Sequence, residues 1–397
     1  MKILLSAYAC SAEAGSEPRV GFQAMLAAAR DHDVWVLTQP DMAVSLERFL
    51  QHHPLRDRIH LEAIDPPAPA QQGGVRELAR THWRHDKWQR NAAGRSLELD
   101  RHVNFDVVHH VTLAAFWLRV GVAVVNKPLV WGPVGGAVKV PWPLVTELGR
   151  RGIAESGLRM IVRPVAGRIV RSRIADSAAV IFVQNQDTAR QIRPFTEPTV
   201  LPNAIAVGIE SMPHLQPRTK EIAFVGRFAP WKAGRLAVRA MRYVDHPDAV
   251  LHLYGSGGEQ QSILEAARRW RVAHRVCFEG QLGRGEVLER VARAGVLLHP
   301  ALHEEASFAI GEALMMGTPV VCLDHGGPVE LIRQWPSSPS VKVAPGRPGP
   351  TARAFARAID HFLDDPPPVP DTPIRPLDSF GDSMLDAYAR AAAQRQR

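Results

Sequence analysis

The sequence predicts an α/β protein of two domains, each built around a parallel β-sheet. Short apolar runs rich in Val, Ile and Leu alternate with segments of helical periodicity along most of the 397 residues, which is the pattern of parallel strands joined by crossover helices. A chain of this length is too long for one ordinary core, so two domains of roughly 150–200 residues are expected. The Pro- and turn-rich stretch 202–219 is the best candidate for the linker between them.

Strands and helices are predicted in alternation. Strands are expected at 2–7, 33–38, 59–63, 107–111, 129–130 and 179–183 in the first half, and at 222–225, 250–254, 276–279, 296–299 and 319–323 in the second. Helices are expected at 20–30, 44–52, 234–241, 260–273, 284–293 and 310–316. A Pro-rich break at 364–376 precedes a last amphipathic helix. We therefore expect domains at 1–203 and 204–375, followed by a C-terminal helical segment at 376–397.

The composition indicates a cytoplasmic globular protein. Apolar residues make up 46% of the chain, and no run approaches the roughly 18 apolar residues that span a bilayer. The first apolar run leads directly into a Gly-containing turn, as a buried strand does, so no export signal is predicted. Cys10, Cys277 and Cys322 are scattered and odd in number, which predicts neither disulfides nor a zinc site and fits a reducing cytosol.

Basic residues, which bring the net charge to +8, concentrate in two segments. Arg76–Arg95 interleaves cations with Trp83 and Trp88, and Arg150–Arg173 alternates arginines with aliphatic residues. Such helices can lie on an anionic membrane surface, or they can be ordinary amphipathic helices with solvated arginines, and both interpretations stay open. No nucleic-acid-reading module accompanies the charge, so a nucleic-acid partner is not expected.

Two cations follow the first strand of the second half. Gly226 and Arg227 lie at its end, and Lys232 comes five residues after Arg227. When a nucleoside diphosphate departs, negative charge builds on its β-phosphate, and fixed cations stabilise that charge in the transition state. Arginine supplies a bidentate fork and lysine a compact charge. The alternative is a pair of surface cations on a strand–helix loop.

The most specific stretch of the chain, 303–328, contains Glu304 and Glu312 with seven residues between them. The helix predicted at 310–316 begins close to both, and the free amide groups at a helix N-terminus favour an anionic ligand. Carboxylates also accept hydrogen bonds from hydroxyl groups, so the pattern suits a ligand that is part sugar and part phosphate. The neighbouring Glu305 is an alternative to Glu304.

These motifs resemble the E-x7-E segment and the R-x4-K pair of retaining GT-B glycosyltransferases, in particular family 4. The GSEP sequence at 15–18 and the WGPVGGA sequence at 131–137 resemble a bacterial subset of that family. The resemblance implies the GT-B architecture: two Rossmann-like domains whose parallel sheets face each other across a cleft, with a last helix that crosses back to the first domain. It further implies metal-independent transfer from a UDP- or GDP-sugar, without a cofactor.

The resemblance also implies a role for each matching residue. Arg227 and Lys232 would grip the donor diphosphate, Glu304 would contact the donor sugar and Glu312 the ribose hydroxyls. The other residues expected to bind the donor are Gly15, Ser16, Gly226, Gly255, Leu282, Ser307 and Phe308. Gly135 and Gly136 are expected on the acceptor side.

Two histidines, His109 and His110, end a buried strand where family 4 enzymes commonly have a histidine beside the reacting sugar. Because side chains alternate along a strand, only one of them should face the cleft, and the sequence leaves open which. We expect it to position a sugar hydroxyl rather than relay a proton. Asp31-His32-Asp33 has the D-x-D form of a metal–diphosphate site, but it lies at the wrong end of its strand, so no metal is predicted.

The sequence thus predicts a retaining hexosyltransferase that acts on a lipid-linked, envelope or exopolysaccharide glycan, either in the cytoplasm or peripherally on the inner face of the plasma membrane. A soluble specialised-metabolite acceptor is the alternative. Two rivals come from other classes: a nucleotide-sugar epimerase or dehydrogenase, and a catalytically silent partner subunit. The sequence shows no evident proton-transfer constellation and no dinucleotide fingerprint, whereas Arg227, Lys232 and Glu312 are all present.

Overall fold

The structure is a computed structural model that describes residues 1–65, 75–149, 152–153, 174, 178–205 and 217–394, with only the backbone of 75–82. The chain divides into two units. The first comprises Met1–Ala137, Leu158–Ala206 and Ser379–Arg397, and the second comprises Val138–Gly157 and Val207–Asp378. The basic segment Arg150–Arg173 lies outside the described residues, apart from positions 152 and 153.

The first unit is a seven-stranded parallel sheet of order β3-β2-β1-β4-β5-β6-β7. Its strands are β1 Lys2–Ala7, β2 Asp33–Thr38, β3 Ile59–Ala63, β4 Val107–Thr112, β5 Leu129–Val134, β6 Ala178–Val183 and β7 Thr199–Val200. Its helices are α1 Glu17–Ala29, α2 Pro40–Leu50, α3 Val75–Val103, α4 Gln186–Ile192 and α11 Phe380–Gln394. The first six strands follow the Rossmann order, in which ligands bind beyond the carboxyl ends of the strands.

The second unit is a six-stranded parallel sheet of order β10-β9-β8-β11-β12-β13. Its strands are β8 Glu221–Val225, β9 Val250–Tyr254, β10 Val276–Gly280, β11 Val296–His299, β12 Val320–Leu323 and β13 Ser340–Val343. Its helices are α5 Gly234–Met241, α6 Gln260–Arg269, α7 Arg284–Arg293, α8 Phe308–Met315, α9 Gly327–Gln334 and α10 Pro348–Asp364. Every residue of β11 and β12 is buried, as expected of central parallel strands covered on both faces.

The predicted fold class of two Rossmann-like α/β domains is confirmed. The observed strand β5 continues to Val134, four residues beyond the predicted end. The Gly-Pro sequence within it predicts a turn, but the strand passes through that sequence. Two edge strands, Thr199–Val200 and Ser340–Val343, were not predicted. Both are short and only partly buried, so neither carries a strong apolar pattern.

Among the described helices, none is long and apolar enough to cross a membrane.

The last helix, α11, packs within the first unit through a buried polar contact. The hydroxyl of Tyr388 lies 2.8 Å from Nδ1 of His109, and Nε2 of His109 lies 2.9 Å from the carbonyl of Gly132. Because a carbonyl only accepts, Nε2 carries the proton and Nδ1 accepts from Tyr388. Both side chains are fully buried, so this contact satisfies groups that have no access to water.

A glutamate joins three loops at the carboxyl edge of the same sheet. Oε1 of Glu17 accepts a 2.7 Å hydrogen bond from the backbone N–H of Leu113, and Oε2 lies 3.4 Å from the side-chain amide of Asn203. Burial raises the pKa of Glu17 to about 7, although the Leu113 N–H favours the charged form. The carboxyl group therefore links the segments that follow β1 and β4. With a pKa of about 7, it is partly protonated at neutral pH.

Replacing Tyr388 by Phe should destabilise the first unit. The change leaves Nδ1 of His109 buried without a donor, which costs about 1–3 kcal/mol. The urea midpoint of unfolding should fall accordingly. The control is Arg390→Gln on the solvent side of the same helix, where the ion pair with Asp386 is exposed and should change stability by about 0.5 kcal/mol or less. Equal midpoints for the two variants would contradict the assignment.

Glu17 should make stability depend on pH in a specific window. Because the folded pKa of about 7 lies above the ordinary 4.5, the folded state holds the proton more tightly, so the free energy of unfolding falls as pH rises from about 4.5 to about 7. Each unit of pKa difference corresponds to about 1.4 kcal/mol. In Glu17→Gln this fall should be absent, which urea titrations at pH 4.5 and 8 would measure. A variant with the wild-type pH dependence would exclude Glu17 as its source.

Candidate active site

The second unit brings glycine turns together where three neighbouring strands end. The N–H of Gly226, after β8, donates to the carbonyl of Tyr254 at 3.0 Å, and the N–H of Gly255, after β9, donates to the carbonyl of Gly280 at 2.7 Å. A Cβ on Gly255 would lie 2.2 Å from the carbonyl oxygen of Gly226, and the φ of Gly255 is +137°. A side chain at position 255 would therefore collide with the turn at Gly226, so the packing of the two turns requires glycine there.

Arg227 follows the first of these turns and is exposed. Its guanidinium lies 5.3 Å from the centroid of the Trp231 ring, a cation–π contact that orients the side chain. Among the residues that the structure describes, no carboxylate forms an ion pair with Arg227. It therefore presents its positive charge to solvent at the carboxyl end of β8.

Lys232 is instead paired. Its ammonium group donates to Oε2 of Glu304, and Nε2 of His299, the last residue of β11, lies 3.2 Å from the same oxygen. Burial by itself would raise the pKa of Glu304, but Lys232 and His299 lower it to about 2. Burial lowers the pKa of His299. Glu304 is thus a carboxylate at neutral pH, held by a lysine and a histidine.

The structure separates the roles of the two adjacent glutamates. The side chain of Glu304 contacts Lys232, whereas Oε1 of Glu305 accepts a 3.1 Å hydrogen bond from the backbone N–H of Val138. The backbone carbonyl of Glu304 accepts from the N–H of Gly327 at 3.0 Å, and a Cβ on Gly327 would lie 1.8 Å from the carbonyl oxygen of Glu305. Of the two alternatives, Glu304 is the one that joins the cation near β8.

Glu312 lies in α8 and is nearly buried. Its Oε1 atom lies 3.0 Å from Nε and 2.8 Å from Nη2 of Arg284, the first residue of α7. Ser307 is the buried N-cap residue of α8 and Phe308 is its first residue, while Leu282 precedes Arg284 in the loop that ends β10. The charged pair therefore joins the second turn of α8 to the N-terminus of α7, next to the loop after β10.

Sequence reasoning missed His299 and Arg284. A signal for each existed, because His299 ends a buried strand five residues before Glu304, and Arg284 opens a helix directly after the Gly280-Gln281-Leu282 loop. A single polar residue at a strand end is common, however, and only the folded chain shows which carboxylate it contacts.

The first unit contains the remaining predicted residues. Gly15 is exposed, and a Cβ there would meet no atom within 4 Å, so the fold itself does not require glycine at this position. Ser16 is the N-cap residue of α1 with φ of 60°, a conformation that is unfavourable for a residue with a side chain. The contact of both residues with a donor phosphate stays a prediction.

The two histidines of β4 differ in their surroundings. His109 uses both ring nitrogens for Tyr388 and Gly132, as described above. His110 lies 3.4 Å from the hydroxyl of Ser6 through Nδ1, and its buried Nε2 has no hydrogen-bond partner among the described residues. Burial lowers the pKa of His109 to about 4 and that of His110 to about 3, so both rings are neutral at pH 7. His110 is the one with a ring nitrogen left for another partner.

The two glycines expected on the acceptor side are explained by packing. A Cβ on Gly135 would lie 2.8 Å from the side chain of Gln184, and a Cβ on Gly136 would lie 1.9 Å from the ring of Trp117. These contacts account for both glycines within the first unit. Their contact with an acceptor stays a prediction.

The described part of the basic segment Arg76–Arg95 is only partly available to a membrane. Trp88 is fully buried and donates to the carbonyl of Ile64 at 3.0 Å, and Arg90 and Arg95 form ion pairs with acidic side chains. Trp83, by contrast, is 57% exposed, and the ammonium group of Lys87 lies 5.5 Å from its ring centroid. Among the described side chains of this segment, the exposed tryptophan is therefore Trp83, and Lys87 is the cation beside it.

Two curated relatives are similar to parts of the chain. A stretch of 150 residues is 32% identical to the 2-deoxystreptamine glucosyltransferase of Streptomyces kanamyceticus and covers 37% of each chain. A stretch of 281 residues is 28% identical to the glycogen synthase of Mycobacterium tuberculosis (strain H37Rv) and covers 68% of this chain and 63% of that protein. The similarity thus spans less than two thirds of the length of either relative.

The fold of the whole chain is similar to that of a solved structure, HepE of Anabaena in complex with UDP. The TM-score is 0.58 at 17% sequence identity, over 100% of this chain and 95% of that one. With the two parallel sheets, this similarity shows that the fold is GT-B. Residues 212–373, which contain β8 to β13 and all the charged pairs of the second unit described above, match the family model of glycosyl transferases group 1.

Proposed function

We propose that this protein is a retaining glycosyltransferase of family 4 that moves a sugar from a nucleoside-diphosphate sugar to an acceptor hydroxyl. The observation that carries the proposal is the exposed Arg227, which forms no ion pair within the described part of the chain, beside the Lys232–Glu304 pair at the strand ends where GT-B sheets bind ligands. All three residues lie within the stretch that matches glycosyl transferases group 1. The HepE structure, which contains UDP, supports a nucleotide-sugar donor.

Arg227 and Lys232 stabilise the departing diphosphate in this mechanism. Charge grows on the β-phosphate as the bond to the sugar breaks, and a fixed guanidinium and a fixed ammonium favour that charge in the transition state. No metal is required for this task. Glu304 holds Lys232 in place until the phosphate arrives, and its carboxylate and the α8 N-terminus at Ser307 contact the donor sugar.

Glu312 binds the ribose hydroxyls, and Arg284 positions it. The guanidinium contacts one carboxylate oxygen of Glu312, which fixes the orientation of the other. Because both residues are only slightly exposed, breaking the pair would leave a charge poorly solvated. We therefore assign Arg284 a positioning role, and Gly226, Gly255 and Leu282 the role of close-packed backbone around the nucleotide.

Retention follows from displacement on one face of the sugar. Glu304, the carboxylate nearest the proposed sugar position, is held by Lys232 and His299 and so is a poor nucleophile. The departing phosphate can instead accept the proton of the acceptor hydroxyl as that hydroxyl attacks from the same side. In the first unit, the neutral His110 positions a hydroxyl group without relaying a proton.

Two acceptor classes follow from different observations. Exposed Trp83 beside Lys87 favours a lipid-linked or envelope glycan acceptor at an anionic membrane surface. The similarity to a 2-deoxystreptamine glucosyltransferase favours a small soluble acceptor. We propose the lipid-linked acceptor first and the soluble acceptor as the second candidate.

Arg227→Ala should abolish donor use. With UDP- and GDP-sugars, the wild-type protein should show a thermal shift and slow donor hydrolysis, and the variant should hydrolyse the preferred donor about 10²–10³-fold more slowly, because one stabilising cation is lost.

Arg269→Ala is the matched control, since Arg269 is an exposed arginine of the second unit that also lies over a tryptophan ring, at 5.6 Å. It should behave as the wild type. If no donor binds, or if both variants retain full hydrolysis, the transferase proposal is wrong.

Removing the exposed Trp83 and the charge of Lys87 in α3 should weaken membrane binding. Trp83→Ala combined with Lys87→Gln should reduce co-sedimentation with vesicles that contain anionic lipid, because an interfacial aromatic group and a cation are lost. Arg101→Gln, exposed at the end of the same helix, is the control. Equal sedimentation of both variants, or none for the wild type, would favour the soluble acceptor.

A further inference from the structure

A second group of reactive side chains lies at the edge of the second unit's sheet, outside the residues assigned to the donor. His252 lies in β9, and Cys277 and Glu279 lie in β10, the edge strand. Cys277 pairs directly with His252 in the parallel register. Glu279 is two residues farther along β10, at a shift in the register, and its carboxylate contacts the His252 ring. The tertiary structure thus gathers a thiol, an imidazole and a carboxylate on one face.

These three groups are close enough to share one ion. Nδ1 of His252 lies 2.7 Å from Oε1 of Glu279, and one candidate ligand atom from each of the three residues lies within 4.8 Å of the others. A tetrahedral zinc ion, with bonds of about 2.0 Å to N and O and about 2.3 Å to S, separates its ligand atoms by about 3.3–3.6 Å. Small side-chain rotations would therefore suffice.

We propose that His252, Cys277 and Glu279 bind one Zn²⁺ ion, with water in the fourth position. The ligand types select the metal, because a thiolate and an imidazole favour zinc, whereas magnesium and calcium prefer oxygen ligands alone. The site is open to solvent, since Cys277 is exposed and the side chains of His252 and Glu279 are 19% and 31% exposed. Water can therefore reach the fourth position.

Zn²⁺ binding would displace the proton of the Cys277 thiol, because a cysteine coordinates a metal as the thiolate. A hydrogen-bonded His252–Glu279 pair would account for two of the residues but gives no reason for the thiol beside them.

The role that follows for the ion is structural. It would cross-link the edge strand β10 to β9, where one face of the sheet is incompletely covered. Glu279 directly precedes the turn that leads to Leu282, so the ion would also fix the start of that loop. The ion takes no part in the transfer chemistry proposed above, and the proposal does not depend on it.

Thiol chemistry can report on this site in the unmodified protein. Cys277 is exposed, whereas Cys10 and Cys322 are buried, so a thiol reagent such as DTNB should react at Cys277 first. In the 397-residue chain, stripped of metal with a chelator, one equivalent of Zn²⁺ should protect one thiol from DTNB. The same addition should raise the melting temperature, because a ligand that binds the folded state stabilises it.

Substitutions of the proposed ligands test whether the ion binds at this site. Cys277→Ser and His252→Ala should each weaken Zn²⁺ binding in isothermal titration calorimetry by about tenfold or more, because each removes a ligand atom. His274→Ala is the matched control, since His274 is an exposed histidine three residues before Cys277 and should leave binding unchanged.

The proposal is overturned if Zn²⁺ leaves the reaction of Cys277 with DTNB unaffected. It is equally overturned if one-to-one zinc binding persists in Cys277→Ser and His252→Ala, since the ion then lies elsewhere. The DTNB measurement uses the wild-type protein, so it decides the question even if a variant fails to fold.

Discussion

The burial of both faces of two parallel sheets is the constraint on which the rest of this structure depends. All residues of β4, β5, β11 and β12 are buried, so the interior of each sheet has no room for an unpaired charge. Polar groups that must meet a ligand are therefore confined to the carboxyl ends of the strands. The turns at Gly226 and Gly255 and the cation Arg227 all lie at such ends.

The charged residues of the proposed donor site are of two kinds: some form ion pairs with one another, and one is exposed to solvent. Lys232 with Glu304 and His299, and Arg284 with Glu312, form compact and slightly exposed networks, as partly buried charges must. Arg227 differs, since it is exposed, lies over the Trp231 ring and has no ion pair with any described carboxylate. A phosphate that approached β8 would meet one available guanidinium and one ammonium already held in position by a carboxylate.

At the edge of a sheet the strand is only partly buried, so the requirement for apolar side chains is weaker. β10 lies at the edge of the sheet and is less covered than a central strand. Its residues are mostly half-buried, so polar side chains are tolerated along it. This is why His252, Cys277 and Glu279 can lie together on one face without a hydrophobic layer over them. In the first unit, the opposite solution applies at His109, which is fully buried and satisfied on both nitrogens by Tyr388 and Gly132.

The sequence by itself determined the α/β class, most of the strands, the helices α5 to α8 and α11, and the identity of the charged residues at the strand ends, because apolar periodicity and glycine turns are local patterns. The helices α9 and α10 were not predicted. Only the tertiary structure decided which charges meet. It separated Glu304 from Glu305, assigned Arg284 to Glu312 and His299 to Glu304, buried Trp88 while leaving Trp83 exposed, and joined residues 252 and 277 across two strands. Such pairings depend on strand order and register, which no local pattern in a single sequence specifies.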